Sequence, residues 1–354
     1  MLDRQTDRQT DRQTDRQTDR KKIYVDFLGF WHGFDKENNF ISDILKKRCE
    51  VVVSKDPEYV FVSSFCKPFE FAKYDCVRVF YTAELFSPDF VSFDYCIGFD
   101  HINAGDRYYR YPYYALRWNE KQISSLYHQL SREEARKVLN SKEYFCNFVY
   151  SHDTQSNLRQ RVFTKLSEYK KVDSVGTYLN NQSDGYTVTY GASKDDYLRK
   201  SKFTIAIDSL CFPGFTTEKI IEPILCHSVP IYHGDPTISD YFNTKSFVHL
   251  KDDSQLDSFV EKVIELDQDD EKYIEMLMQN PFVEADHIDR LNQGFEDMLF
   301  HIVLQDHNKA FRRVREYLPK FYDNALKEHN RIKDELSGIK KHKSYWILKK
   351  LGKI

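Results

Sequence analysis

Residues 202–234 read KFTIAIDSLCFPGFTTEKIIEPILCHSVPIYHG. The apolar run at 203–207 predicts a buried strand, Pro213 marks a loop, and the periodic stretch 217–226 predicts a helix. A second apolar strand is predicted at 228–233. Strand, helix and strand in this order are typical of a parallel sheet with helices on its faces, so the chain is predicted to be an α/β protein.

The same alternation extends over most of the chain. Runs rich in Val, Tyr and Phe predict further strands at 23–27, 50–53, 59–65, 76–82, 95–99, 143–151, 171–175 and 246–250. Helical patterns are predicted at 39–47, 119–139, 153–169 and 193–201, and helices dominate from about 253.

Two such series predict two Rossmann-like α/β domains hinged near 140–145. The expected divisions are a leader at 1–21, domains at 22–142 and 143–300, and a helical basic tail at 301–354. Ligands of such sheets bind at the carboxyl ends of the strands, so a cleft between the domains is the expected site.

Composition excludes several classes of protein. The 354 residues carry 52 basic and 55 acidic side chains, a charge of 52 − 55 = −3, which argues against a nucleic-acid-binding protein. A mean hydropathy of −0.64, without an apolar run of about 18 residues, predicts a soluble protein rather than a transmembrane one. The seven scattered cysteines and the lack of a secretory signal favour a cytoplasmic location.

The tetrapeptide Asp-Arg-Gln-Thr occurs four times over residues 3–18. It has no apolar residue, which predicts a disordered leader. A GACA tetranucleotide repeat would encode this peptide, and slippage by one unit would shift the reading frame. We therefore hypothesise a phase-variable bacterial gene; mixed, interrupted codons in the DNA would contradict it.

The turn before the helix at 217–226 carries the clearest chemistry. A threonine at the helix start leaves backbone N–H groups pointing outward, where the helix dipole favours an anion. Lys219 adds a positive charge at the end of a helix where basic side chains are normally disfavoured, and Glu218 could accept hydrogen bonds from ribose hydroxyls. A solvated Glu-Lys pair explains these two residues about as well.

Neither G-x-G-x-x-G nor a Walker A sequence occurs, so dehydrogenase, kinase and NTPase functions lose their main support.

This stretch resembles the donor-binding signature of the α1,3-fucosyltransferases, a family that includes bacterial enzymes making Lewis-type antigens. Further segments agree with the family in order, and the resemblance covers roughly residues 22–250. They are Phe80–Glu84, Asp94–Asp100, Asp106–Pro112, Asn147–Ser151, Lys170–Gly176 and Val229–Gly234.

The resemblance implies the GT-B architecture and an inverting transfer of L-fucose from GDP-β-L-fucose to the GlcNAc of an N-acetyllactosamine-type acceptor, as in Lewis x-like surface glycans, without an essential metal. Glu84 is the implied general base, in a setting where the Phe-rich loop should partly desolvate it. The implied donor-binding residues are Lys219, Glu218, Thr217, Thr216, Phe215, Ser209, Asn180 and Arg159. The implied acceptor-binding residues are Trp31, His32 and Tyr81.

Some positions depart from the family pattern. Where the family usually has F-E-N-S, this chain has Ile207 to Leu210, and Leu179 stands near a diphosphate-binding arginine of the family. Arg159 or Arg161 is a candidate replacement for that cation. Pro223 lies inside the predicted helix and should kink it.

The tail at 339–354 interleaves lysines with Tyr, Trp, Ile and Leu. That composition suits a helix lying on the cytoplasmic face of an anionic inner membrane, although a solvated basic tail is equally compatible.

Two other functions of the protein remain open. One is a related transferase with another nucleotide sugar or an α1,4 or α1,2 linkage, and the other is a degenerate, glycan-binding member without turnover.

Overall fold

The computed structural model describes residues 20–116, 118–188 and 191–353, so the predicted DRQT leader lies outside the described residues. The chain forms two compact units. The first runs to Gly98 and includes 102–109 and everything from Gly294 onward. The second comprises Phe99–His101 and Arg110–Gln293, so residues 110–142, which the sequence analysis placed in the first domain, group with the second.

Eleven strands are present in the described residues. They are β1 (Lys21–Leu28), β2 (Cys49–Val53), β3 (Tyr59–Ser63), β4 (Val77–Tyr81), β5 (Tyr95–Gly98), β6 (Tyr108–Arg110), β7 (Tyr144–Phe148), β8 (Val172–Ser174), β9 (Ser201–Ile207), β10 (Val229–His233) and β11 (Val248–His249). The α-helices are α1 (Phe40–Leu45), α2 (Glu120–Tyr127), α3 (Arg132–Asn140), α4 (Leu158–Tyr169), α5 (Ala192–Lys200), α6 (Glu218–Leu225), α7 (Leu256–Gln268), α8 (Asp270–Leu277), α9 (His287–Leu304), α10 (His307–Ala310), α11 (Tyr317–Lys341) and α12 (Lys343–Lys350).

Each unit is built on its own sheet. Six strands form the first sheet in the order β2-β1-β3-β4-β5-β6, and β1 to β5 pair in parallel. Five strands form the second in the order β11-β10-β9-β7-β8, with every pair parallel. The central strands β3 and β4 are buried along their whole length, because helices cover both faces of parallel sheets. The predicted α/β class is confirmed.

Buried ion pairs hold the C-terminal part of the chain on the first sheet. Arg78 of β4 contacts Asp323 of α11 at 2.8 Å, and Arg313 contacts Asp94 at 3.0 Å and Asp323 at 2.9 Å. Arg78, Arg313 and Asp94 are almost wholly buried, and each charge has a partner, as a buried charge requires. The segment around 313–323 is therefore an integral part of the first unit.

The predicted helix at 119–139 is wrong in one respect, because it is two helices. α2 ends at Tyr127, and α3 begins after Ser131, whose hydroxyl accepts a hydrogen bond from Glu134 N while the Glu134 carboxylate accepts from Ser131 N at 2.8 Å. This capping box starts a new helix inside an otherwise continuous amphipathic pattern.

Two further boundaries differ from the prediction. α4 begins at Leu158 rather than 153, because the Asp153 carboxylate accepts from Thr154 N and Arg159 N and holds the preceding residues in a loop. The short strand β6 had no sequence signal, since its three residues are too few to show an alternation.

Candidate active site

The second unit contains a cavity of about 270 Å³. Residues at the ends of β7 and β9, at the start of α4 and on α5 and α6 form its walls. The charged side chains that line it are Arg159, Lys194, Glu218, Lys219 and Glu222. This mixture of cations and carboxylates distinguishes the cavity from an apolar ligand pocket.

A buried carboxylate positions the start of α6 at the edge of this cavity. Thr217 is the N-cap, and its hydroxyl oxygen accepts a hydrogen bond from Lys219 N at 3.4 Å. The same hydroxyl donates to Asp208 Oδ1, while Tyr232 donates to Asp208 Oδ2 at 3.0 Å. Gly234 makes this packing possible, because a Cβ there would lie 2.6 Å from Asp208 Oδ2.

A second buried carboxylate holds the residues just before the helix. Asp235 accepts hydrogen bonds from the Thr216 hydroxyl at 2.7 Å and from Gly214 N at 2.8 Å. Its own backbone N–H donates to the Tyr232 hydroxyl at 2.9 Å, which connects it to Asp208. Thr216 and Thr217 therefore act through the backbone they fix, and neither lines the cavity among the described residues.

Lys219 lies in a cluster of negative charge. Its ammonium group is 3.3 Å from Glu218 Oε1 and 3.9 Å from Asp208 Oδ1. Burial disfavours the charged lysine, but the two carboxylates outweigh burial and raise the pKa of Lys219 above its usual value. Burial raises the pKa of Asp208 to about 6 against the opposing effect of Lys219. Lys219 is thus held as a cation in the first turn of α6.

Arg159 lines the cavity, but its guanidinium is already engaged. Its Nε and Nη2 donate to the carbonyl of Ile207 at 3.2 and 2.9 Å, Nη1 donates to His152 O at 2.9 Å, and Nη2 also donates to Ser209 Oγ at 3.2 Å. The group also lies over the ring of Tyr150 at 4.1 Å. Four of its five N–H groups are therefore occupied, and Arg159 mainly ties the end of β9 to α4.

The other candidate cation is directed elsewhere. Arg161 pairs with Asp253 at 2.8 Å and does not line the cavity. Leu179 packs against the apolar core of the second unit, so that position contributes no charge.

The remaining predicted donor residues divide into two groups. Ser209 lines the cavity. Phe215 is buried against Phe99, with ring centroids 5.2 Å apart, and Asn180 donates to Gly176 O and Tyr186 O at 2.9 Å each. Phe215 and Asn180 are placed to hold loops, away from the described cavity wall.

Sequence analysis missed Lys194 and Glu222, which form an ion pair in the cavity wall. Lys194 lies on α5 and Glu222 on α6. One signal was available for Glu222, because residues four apart lie on the same face of a helix, and Glu222 is four residues after Glu218. Nothing in the sequence indicated that α5 would bring Lys194 to it.

In the first unit, Glu84 follows β4. Its backbone N–H donates to the Thr82 hydroxyl at 3.0 Å, and that hydroxyl donates to Glu84 O at 2.9 Å. The side chain is exposed, so the expected desolvation by the Phe-rich loop is not found in the described residues. This turn directs Glu84 out of the end of the sheet.

The predicted acceptor residues differ in exposure. Trp31 is 48% exposed and packs on Phe34 and Phe40, and His32 is exposed. Tyr81 is only 1% exposed and packs against Phe40 at 5.2 Å, so its ring belongs to the core of the unit. Trp31 and His32 are accessible to a ligand in this conformation, whereas the buried Tyr81 packs beneath the loop that carries them.

The tail forms α12, in which Trp346, Ile347 and Leu348 are exposed, and Leu351 follows. Within the described ranges, no helix combines the length and the apolar character needed to cross a membrane.

Comparison with known proteins agrees with this organisation. Residues 25–117 match the α-(1,3)-fucosyltransferase FucT N-terminal domain, and residues 139–293 match the C-terminal domain of glycosyltransferase family 10 (fucosyltransferase). The α-(1,3)-fucosyltransferase FucT of Helicobacter pylori is 30% identical over 321 residues, which are 82% of this chain and 64% of that protein. The chain therefore spans slightly less than two thirds of this relative.

Solved structures show the same fold. A crystal structure of an α1,3-fucosyltransferase aligns with 85% of this chain and 94% of its own, at a TM-score of 0.68 and 24% identity. A structure of an α1,3-fucosyltransferase with GDP-fucose aligns with 80% of this chain and 92% of its own, at a TM-score of 0.63 and 25% identity. The predicted α/β fold of the GT-B type, with two Rossmann-like units, is confirmed. The chain belongs to glycosyltransferase family 10, the fucosyltransferase family.

Proposed function

We propose that the protein is an inverting fucosyltransferase that uses GDP-β-L-fucose as donor. The observation that carries the proposal is the start of α6, where Lys219 lines the cavity beside a helix N-terminus. A diphosphate leaving group develops negative charge as its bond to the sugar breaks, and a fixed cation beside backbone N–H groups stabilises that charge. Family membership supports fucose as the sugar.

In the proposed reaction, the acceptor hydroxyl attacks C1 of fucose on the face opposite the diphosphate. Glu84 takes the proton of that hydroxyl, and the electron pair of the C1–O bond leaves with GDP. The new bond is therefore an α-fucoside. Bound acceptor sugar would supply the desolvation that the exposed carboxylate lacks in the protein alone.

The proposed acceptor is the GlcNAc of an N-acetyllactosamine-type glycan, linked α1,3, in Lewis x-like or lipopolysaccharide surface glycans. The α1,3 linkage is supported by the similarity to the H. pylori α-(1,3)-fucosyltransferase. The exposed Trp31 suits the apolar face of a sugar ring.

We also propose that catalysis needs no divalent metal, because Lys219 and the N-terminus of α6 already supply positive charge for the diphosphate. Full activity in excess EDTA supports this; loss of activity that Mg²⁺ or Mn²⁺ restores contradicts it.

The proposed location is the cytoplasm, with α12 bound to the surface of the inner membrane. Equal sedimentation with anionic vesicles of the full chain and of a chain ending near residue 335 contradicts the membrane contact.

The central test is GDP release by the full chain with GDP-fucose and N-acetyllactosamine, beside GDP-mannose as a second donor. We expect acceptor-dependent release from GDP-fucose only. Release from GDP-mannose alone indicates a transferase of another sugar. If the protein binds GDP but releases none from GDP-fucose with any acceptor, it is a glycan-binding member that lacks turnover.

A further inference from the structure

The ion pair of Lys194 and Glu222 occupies a particular place in the cavity. Glu222 lies one helical turn beyond Glu218 on α6, about 6 Å along the axis. Lys194 reaches it from α5, and both side chains are only slightly exposed, at 16% and 17%. Both line the cavity that also contains Lys219. The pair can therefore contact the part of a ligand that extends along the cavity away from the start of α6.

Apolar side chains flank this pair. Leu198 lies four residues after Lys194, and so on the same face of α5, while Pro223 is adjacent to Glu222. Val188 is a further apolar residue of the cavity wall. A site with apolar walls and one polar edge suits a flat heterocycle, whose faces are apolar and whose edge carries hydrogen-bonding groups.

The pair offers a defined order of donors and acceptors. An ammonium group has three N–H donors and no acceptor, whereas a carboxylate has about four acceptor positions and no donor. The described residues give Lys194 one hydrogen-bond partner, Glu222. Guanine has an acceptor, O6, beside two donors, the N1–H and the 2-amino group. Adenine has a donor where guanine has O6.

We propose that Lys194 and Glu222 recognise the guanine of the donor nucleotide, with Lys194 donating to O6 and Glu222 accepting from N1–H and the 2-amino group. The proposal rests on the proposed function for the diphosphate at Lys219. The diphosphate then lies at Lys219, the ribose at Glu218 and the base at Glu222, one helical turn beyond Glu218. The pair determines which nucleotide binds and takes no part in the chemistry.

The test measures the affinity of the full chain for GDP, IDP and ADP by calorimetry. IDP lacks only the 2-amino group and keeps N1–H, so it isolates the contact between Glu222 and the 2-amino group. We expect GDP to bind about tenfold or more tightly than IDP, and ADP to bind weakest. In Glu222→Gln the GDP/IDP ratio should fall toward one, because the amide places an amino group beside that of guanine. In Lys194→Met both affinities should fall by a similar factor with their ratio unchanged, since both bases carry O6.

Removing one partner of a buried ion pair can prevent folding, so the double variant Lys194→Met with Glu222→Leu is the second test. Replacing both charges by apolar groups is often neutral for stability. The double variant should bind GDP and IDP equally. Lys202→Met is the matched control, because Lys202 pairs with Asp267 at 2.8 Å, is similarly buried and does not line the cavity. It should leave all three affinities within about twofold.

Two results overturn the proposal. One is a GDP/IDP ratio that stays at the wild-type value in the double variant. The other is an equal loss of GDP, IDP and ADP binding in Lys194→Met, which places that lysine on the phosphates. Failure of the proposed function looks different, because wild-type protein would then release no GDP from GDP-fucose whatever these ratios are.

Discussion

The first turn of α6 and the turn after β4 each present one side chain assigned a principal role, but they are built differently. Lys219 projects from backbone that two buried carboxylates, Asp208 and Asp235, hold through two threonines. Glu84 projects from a turn fixed mainly by one hydroxyl, that of Thr82, and its own carboxylate is exposed.

This difference separates two ways of preparing a group for catalysis. A cation that must meet a diphosphate without reorganising is best fixed before the ligand arrives. A general base that acts on an incoming hydroxyl can stay solvated until the acceptor displaces the water. Substitutions near Lys219 should therefore disturb both stability and binding, whereas those near Glu84 should disturb turnover alone.

The largest effect is expected from Glu84→Gln, which removes the proposed base without changing the size of the side chain. Turnover should fall by about 10²- to 10⁴-fold, while GDP affinity and thermal stability stay at wild-type values. Steady-state kinetics and calorimetry check this. Glu50→Gln, at another exposed glutamate of the first unit, is the control and should keep full turnover. An active Glu84→Gln enzyme would remove Glu84 from the mechanism.

Lys219→Ala should lower turnover by about 10²- to 10³-fold, and GDP affinity should fall as well, because the fixed cation acts on the diphosphate. It also leaves Asp208 without its nearest cation, so the free energy of unfolding should decrease. Single-turnover kinetics and urea denaturation measure the two effects. A variant that loses stability but not turnover would make Lys219 a structural residue only.

The pH dependence of stability tests the buried carboxylate. Burial raises the pKa of Asp208 from 3.8, its value in the unfolded chain, to about 6 in the folded protein. Between these two pH values the folded state therefore binds more protons than the unfolded state. Stability from this group is therefore highest below pH 4 and falls as the pH rises to about 6, by about 3 kcal/mol. Urea denaturation from pH 4 to 7 measures the free energy of unfolding of wild type and of Asp208→Asn. The value for wild type should fall relative to that for the variant as the pH rises. A constant difference contradicts it.

Gly234→Ala should lower the free energy of unfolding by about 1–3 kcal/mol, because the added methyl group overlaps Asp208 and the Tyr232 hydroxyl, which would lie 2.7 Å away. Gly33→Ala provides a contrast in the first unit. No atom of the described residues lies within 4 Å of a Cβ there, and only its φ of +81° opposes the substitution, at about 1 kcal/mol. Denaturant titration compares the two. Equal losses would mean that the packing of Gly234 on Asp208 and Tyr232 is no tighter than the loop after β1.

The smallest effect is expected from Trp31→Ala. The loss of an exposed ring that stacks on a sugar should raise the KM for the acceptor about two- to tenfold and leave the KM for GDP-fucose unchanged. Two-substrate kinetics separate the two constants. A change in the donor constant would mean that Trp31 acts on the other substrate.

Sequence reasoning succeeded where a feature is encoded locally. The buried strand β9, the helix start after Thr217 and the position of Lys219 all follow from neighbouring residues. It did not anticipate that the backbone carbonyls of Ile207 and His152 occupy donors of Arg159, or that the ring of Tyr81 lies in the core. Both residue types suit ligand binding, but their surroundings come from elements distant in the chain.

The sequence by itself determined the fold class, the family and the anion-favouring start of α6, because periodicity, helix capping and short motifs act over a few residues. Only the tertiary structure decided that Asp208 and Asp235 hold that turn, and that Lys194 on α5 meets Glu222 on α6 in one cavity. Such partners lie as many as 28 residues apart, and their meeting depends on how helices pack on a sheet.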